Sequence, residues 1–393
     1  MLRSGLSRPS RRHGIRAFLG QAKACPTVIL ALVALVPLAG QNRPGNRTVT
    51  ITGSVPAAAR LRIEAGGAVT LESGGSPAIS YTARASVRAH SDSEAQALIE
   101  SRGVRAVSQG EWAVLTSASG VTLTVRTPRL AQVAISSSGG SVNASGIAGT
   151  LEVRSLGGDI AADRIGGHCE LITGGGDIRV GRVEAGLHCV TGAGRITVDS
   201  AGGEAVLVSE GGDIEGRDLG GTVNAQTAAG TIRLVKAGSS VTAVTGGGQI
   251  IIGKAGGVVT ARSMAGQVLV GGAAGLHCES GSGGIQATNI AGAMRVSTEW
   301  GNIVASLLAG QVAESALSTG SGDITVTIPS NLGVTIRAEN DMADTIRRIV
   351  SEFPGIPVRM RGTRVVAEGA VNGGGPVLRI SDMGGTIFIR RQK

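Results

Sequence analysis

Between residues 133 and 326 apolar side chains occupy every second position in short bursts, and the bursts recur every 18 residues. One apolar column runs Val133, Leu151, Cys169, Leu187, Ala205, Val223, and two residues on runs Ile135, Val153, Leu171, Cys189, Leu207, Ala225. After a Gly-rich break come Val142, Ile160, Ile178, Ile196, Ile214, Ile232, again followed two residues later by Ala144, Ala162, Val180, Val198. Period-two alternation is the mark of a half-buried strand. Each 18-residue unit therefore lays down two strands with opposed apolar faces. The pattern predicts an all-β fold, a parallel β-solenoid of about eleven coils with two strands per coil, roughly 50 Å long at roughly 4.8 Å per coil.

Glycine keeps the same beat. Gly140, Gly158, Gly176, Gly194, Gly212, Gly230, Gly248 and Gly266 are 18 apart, and in the Gly-Gly pairs they are expected to supply turn conformations that a side chain would obstruct. A third column, from Ser137, Ser155 and Thr173 to Thr298, is hydroxyl throughout and has the parity of the buried face. Its expected role is to mark the strand end and bond the backbone of the adjacent coil. An ice-binding threonine array would need the opposite parity, facing water.

Residues 1–40 read as a targeting segment or uncleaved N-terminal anchor. Six basic residues (Arg3, Arg8, Arg11, Arg12, Arg16, Lys23) precede the apolar run 28–38, which ends in Ala39-Gly40. The run is short for a membrane span. This implies export, with membrane contact only through that segment.

The segment also changes what the charge means. The whole chain is +9, and subtracting its six uncompensated basic residues leaves +3. Residues 131–336 carry 11 basic and 16 acidic side chains, a net −5, so no basic stripe follows the repeats. With 2% aromatics there is no stacking platform for bases either, and nucleic acid is not an expected partner.

The flanks predict caps for the exposed coil edges, which repeat proteins need. In 41–130, strands are expected at 61–64, 69–71, 79–83, 112–115 and 121–125, with a short helix over 93–101. In 337–393, an amphipathic helix is expected over 343–353, then strands at 364–366, 377–380 and 386–389.

Several steps are spelled Gly-Gly-Asp-Ile (157–160, 175–178, 211–214), 321–326 reads Ser-Gly-Asp-Ile-Thr-Val, and the chain closes on Asn-Gly-Gly-Gly-Pro-Val-Leu-Arg-Ile (372–380) with Gly385-Thr386-Ile387. On these motifs residues 60–393 resemble the bacterial exported β-strand-repeat proteins labelled putative adhesins, a domain of unknown function related to auto-transporter adhesin heads. The resemblance implies a β-solenoid at the cell envelope or surface, no established enzymology, and binding to cell-surface or envelope components.

Candidate chemistry is sparse. Asp159 and Asp177 share an outward column one coil apart, a spacing near that of a retaining glycosidase pair, but the column continues Arg195, Asp213, Thr231, Gln249, and Asp after Gly-Gly serves well as a turn cap. His168-Cys169, His188-Cys189 and His277-Cys278 straddle their strands, Cys inward and His outward, so no pair closes readily on a metal. Gly248 to Lys254 mimics a phosphate loop without the Ser/Thr or the following helix. Gly175 to Val180 departs from the calcium-binding nonapeptide at its fourth and sixth places. Trp300 stands where most turns carry Gly or Ala. It could anchor a partner, though packing beneath the C-terminal cap is the expected arrangement.

Together these observations predict an exported, non-enzymatic surface or envelope module of adhesin-like or scaffolding type, without cofactor, metal or catalytic residues, and with Trp300, Asp159 and Asp177 as the surface positions of interest. The competing classes are a polysaccharide-active β-helix enzyme and an envelope-stress sensing module.

Overall fold

The computed structural model describes residues 45–341 and 348–392, and all statements below concern these residues. Residues 1–40, expected to be a targeting segment or anchor, lie outside them. The fold is all-β, two long sheets facing each other across one apolar core, with a single described α-helix.

The repeats pair as the columns require. β8 (Gln132–Ser137) and β9 (Val142–Ser145) form one coil, β10 (Thr150–Ser155) and β11 (Ile160–Asp163) the next, and so on to β28 (Ser315–Ser321) and β29 (Ile324–Ile328). Even-numbered strands stack in one sheet and odd-numbered strands in the other, all parallel, and in register apart from shifts between β25 (Ile285–Gly292) and β27 (Ile303–Val312): Leu151 faces Val133 and Cys169, Ile160 faces Val142 and Ile178. Stacking like on like keeps every apolar column inside, so Ile196, Ile214, Ile232 and Ile250 are all completely buried. Each contributes about 1.5–3 kcal/mol by leaving water.

The ends are interleaved rather than sequential. β2 (Arg60–Gly66) and β3 (Val69–Ser73) form a coil lying directly on β8 and β9. The chain then leaves through β4 (Ile79–Ala89), α1 (Asp92–Arg102) and β5 (Arg105–Gln109), and returns as β6 (Trp112–Ser119) and β7 (Val121–Thr127) on the outer side of β2 and β3. β4 and β5 run antiparallel on this outer coil, and β1 (Gly45–Val55) runs antiparallel along β4. Antiparallel strands thus cover the parallel edge, one remedy for an open sheet edge. α1 starts at Ser91, whose Oγ accepts the Glu94 N–H at 3.1 Å while Glu94 Oε2 accepts the His90 N–H at 2.8 Å, and it buries Ala95 and Ile99.

The opposite end repeats the device. The closing segment β34 (Val377–Asp382) and β35 (Ile387–Arg391) stacks on β28 and β29, while the earlier β30 (Val334–Asn340) and β31 (Ile349–Ser351) lie outside it. β33 (Arg364–Val371) and β32 (Val358–Arg361) then add antiparallel strands beyond β30. The helix expected over 343–353 falls partly on residues outside those described, and its described end is strand instead. Ile349 pairs with Ile387 and is buried, so stacking on the apolar column overrides the helical spacing.

Candidate functional site

Two polar networks tie successive coils, and they decide which side chains remain for contact with a partner. The first is the buried hydroxyl column. Thr191 Oγ1 donates to the Gly176 carbonyl of the preceding coil at 2.8 Å and accepts the Gly194 N–H at 3.2 Å; Ser209 does the same with Gly194 and Gly212 at 3.0 and 2.8 Å, and Thr227 with Gly212 and Gly230 at 2.9 and 3.1 Å. The expected bond to the adjacent coil is present. Each hydroxyl satisfies turn groups that the strand ladder leaves open.

The paired glycines work differently from the conformational expectation. Of the second-glycine set only Gly140, Gly301 and Gly322 have positive φ. The others are required by distance: a Cβ on Gly212 would lie 2.1 Å from the Gly194 carbonyl oxygen, and one on Gly248 1.9 Å from that of Gly230. In this set the residue before the second glycine is open, with nothing within 4 Å of a Cβ at Gly157, Gly175 or Gly247. Backbone stacking sets the rule and turn conformation does not.

At the capped end the hydroxyl column finishes on Asp382, which sits opposite Thr319 and Asn340. Its Oδ1 accepts the N–H groups of Gly384 at 3.0 Å and Gly385 at 2.9 Å, two donors where the hydroxyls have one. Its Oδ2 is buried without a hydrogen-bond partner, as is Asn340 Oδ1. Burial raises its pKa above the ordinary carboxylate value, against the opposing pull of those two N–H groups.

The second network uses the outward aspartates. Asp159 Oδ1 accepts the Asp177 N–H at 2.9 Å, Asp177 Oδ1 accepts the Arg195 N–H at 2.9 Å, and Asp213 Oδ1 accepts the Thr231 N–H at 2.8 Å. Arg179 bridges Asp159 and Asp177 at 3.5 and 2.7 Å. The two carboxylates, whose spacing is near that of a glycosidase pair but whose expected role was structural, are staples between coils, each holding the backbone of the next and sharing one guanidinium. A nucleophile and a general acid need different environments, and these two have the same one.

The cysteines lie where the columns put them. Cys169 faces Leu187 and Cys189 faces Leu171, one row apart, and Cys169, Cys189 and Cys278 are free and buried, with their histidine neighbours on the outer surface. Burial pushes the Cys169 and Cys278 thiols up to about 12 and Cys189 well above its ordinary value, the opposite of an activated nucleophile.

One corner of the coil, just beyond the hydroxyl column, carries several of the exposed large apolar side chains. Trp300 is 65% exposed there. It does not pack beneath the C-terminal cap, because the cap stacks along the axis, with Trp300 paired to Ser321, while the corner side chain projects away from the stack. Its place in the turn is the open first-glycine position, which admits a large side chain without cost to the stacking. Leu156 and Met264, each 75% exposed, and Met383, 49% exposed, occupy the neighbouring corner position of other coils. Sequence reading passed over these three. The available signal was their departure from Gly, Glu or Ala immediately after the hydroxyl column.

A groove of about 810 Å³ opens at this corner, with Met264 and Trp300 on its walls and Gly281 and Ser282 between them. On the adjoining strand face Glu279 is held from both sides, by Arg262 Nε at 3.0 Å and His277 Nε2 at 3.0 Å.

The fold defines the class of molecule as a two-sheet parallel β-solenoid with interleaved caps. No family model matches the chain, and no curated protein matches it. Solved structures similar to it are of putative adhesins. A putative cell adhesion protein from Clostridium sporogenes is 11% identical over 88% of this chain and 100% of that one, with a TM-score of 0.20. Putative adhesins from Bacteroides fragilis (14% identical, 72% and 98% covered, TM-score 0.20) and Parabacteroides merdae (11%, 71% and 96%, TM-score 0.23) are similar in the same sense. Superpositions this loose transfer no residue roles.

Proposed function

We propose that the protein is an exported, non-enzymatic adhesin-like module that presents its solenoid surface at the cell envelope or cell surface. The observation that carries this reading is the contrast between constant inward columns and drifting outward ones. Glu152, Glu170, His188, Val206, Asn224 and Thr242 follow one another in a single outward column, each paired in register with the next. A catalytic face must hold at least two ionisable groups in fixed relation beside a substrate. The outward aspartates Asp159, Asp177 and Asp213 are already committed to backbone N–H groups. Weak contact repeated along a long surface needs no deep pocket, since avidity accumulates from many poor contacts.

The test combines location with attachment. Protease shaving of intact cells should remove the protein, and cells lacking it should adhere less to their natural surface. A chain shortened by two whole coils should alter adherence. Resistance of the protein to shaving together with unaltered adherence of the deletion strain would refute the reading.

A further inference from the structure

The groove at the Trp300 corner places an exposed aromatic ring beside charged and hydroxyl side chains. We propose that it binds one pyranose ring of an oligosaccharide, with Trp300 as the stacking platform. This rests on the adhesin-like reading above and names its ligand class.

A pyranose ring presents a flat C–H face and a rim of hydroxyls, so it needs an exposed aromatic face and firmly held polar groups within a few ångströms of one another. Both are present. Trp300 offers the aromatic surface, and Met264 stands two coils away along the stack, about 9.6 Å at the ordinary strand spacing, close to the width of a sugar ring with a contact layer on each side. On the intervening coil the groove is lined by the small residues Gly281 and Ser282. On the rim, Glu279 is fixed by Arg262 and His277, each at 3.0 Å, so its carboxylate is oriented before a ligand arrives. Glu299 lines the same groove.

A protein partner would look for something else. Protein hot spots sit in an apolar centre sealed from water by a ring of neighbouring contacts. Here the two apolar side chains are separated by glycine and serine and edged by charges. The groove also continues: a second depression of about 340 Å³, shared through Ser297 and bordered by His277 and Arg295, adjoins it along the same sheet face. That run favours a chain of several rings over a free monosaccharide.

Two tryptophans make the test direct. Trp112 lies at the N-terminal end under Arg60 and Arg62, whose guanidinium carbons stand 5.7 and 5.1 Å from its ring, so the variant Trp112→Phe leaves Trp300 as the reporting fluorophore. The full chain carrying Trp112→Phe is titrated with neutral hexose oligomers of two to six rings, and fluorescence is read. Saturable change that strengthens from two to four rings is expected. In the otherwise wild-type protein, followed by calorimetry, Trp300→Ala should weaken binding at least tenfold, Trp300→Phe less, and Glu279→Gln severalfold. Position 300 is a turn site that carries Gly, Ala or Ser in other coils, so Trp300→Ala should leave the unfolding midpoint in place.

Absence of response to every oligomer at about 10 mM, where even millimolar affinity saturates, overturns the sugar assignment. Binding that is unchanged in Trp300→Ala overturns the site. Capture of a purified, unglycosylated cell-surface protein through Trp300 with no sugar response overturns the ligand class. Shortening of the oligomers during incubation overturns the non-enzymatic reading while leaving the subsite in place. Loss of adherence in the deletion strain with full adherence by the Trp300→Ala strain leaves the adhesin-like reading standing and removes this groove from it.

Discussion

Adding one methyl group at either of two adjacent glycines should give opposite results, because only one of them touches the preceding coil. At Gly212 a Cβ would lie 2.1 Å from the Gly194 carbonyl oxygen and 2.5 Å from its carbon. Ordinary carbon to oxygen contact needs roughly 3.3 Å, so neighbouring backbones must part by about 1 Å in a stack whose pitch is about 4.8 Å. The same residue donates its N–H to Ser209 Oγ at 2.8 Å and accepts Thr227 Oγ1 at 2.9 Å, and both bonds stretch with the displacement. Overpacking of about 1–3 kcal/mol plus about 1 kcal/mol for each hydrogen bond gives a destabilisation of about 3–5 kcal/mol. At Gly211 the nearest atom to a Cβ is 4.0 Å away and φ is not in the left-handed region. Gly211→Ala should therefore be neutral or gain about 0.5 kcal/mol from a less flexible unfolded chain. Urea unfolding followed by circular dichroism compares the two variants, and the midpoint of Gly212→Ala should fall by about 1 M or more. Equal midpoints would show that stacking distance is not what fixes glycine in this column.

Asp382→Asn should raise stability at pH 7 and leave it unchanged near pH 3. The folded-state pKa is raised, so the penalty for the buried charge is absent while the carboxyl is protonated in both states and grows as pH rises from the unfolded value of 3.8 through the folded one. Urea midpoints at the two pH values check it, and an equal gain at both would refute the charge argument. The thiols of Cys169, Cys189 and Cys278 should resist alkylation at pH 8.5 in the native protein and react at once in denaturant. Because the Cys169 and Cys278 pKa values are raised to about 12 from 9.0, their thiols contribute stability that is complete below pH 9 and lost as pH climbs toward 12; labelling at any of these three positions in the folded protein, read by peptide mass spectrometry, would contradict their burial. The Asp159→Ala, Asp177→Ala double variant should keep full attachment while losing about 1 kcal/mol of stability, since it removes two partly exposed acceptors of the next coil's N–H groups. Loss of attachment without loss of stability would return these carboxylates to a functional role.

Much of the fold was legible because a stacked solenoid turns a one-dimensional period into a three-dimensional contact. Residues 18 apart touch, so Ile196, Ile214 and Ile232 record in the sequence the column they form in the core. Parity then told inside from outside, placing Thr191 and Ser209 within the stack and Cys169 and Cys189 one row apart. The interleaving of the caps could not be read this way. Whether β34 lies against β28 or beyond β30 depends on which of two similar apolar strands is the better neighbour across more than 50 residues of chain, and each has the same local alternation. The strand at Ile349–Ser351 was hidden for a related reason, since its spacing fits a helix and only its partner Ile387 decides otherwise. Side-chain engagement was out of reach as well. The sequence put Asp159 and Asp177 in one outward column, but the hydrogen bonds to Asp177 N and Arg195 N that occupy them exist only once coils are stacked. Trp300 makes the same point in reverse: the sequence marked it as unusual for its turn, and its exposure was settled by the direction in which the cap stacks, along the axis and clear of the corner.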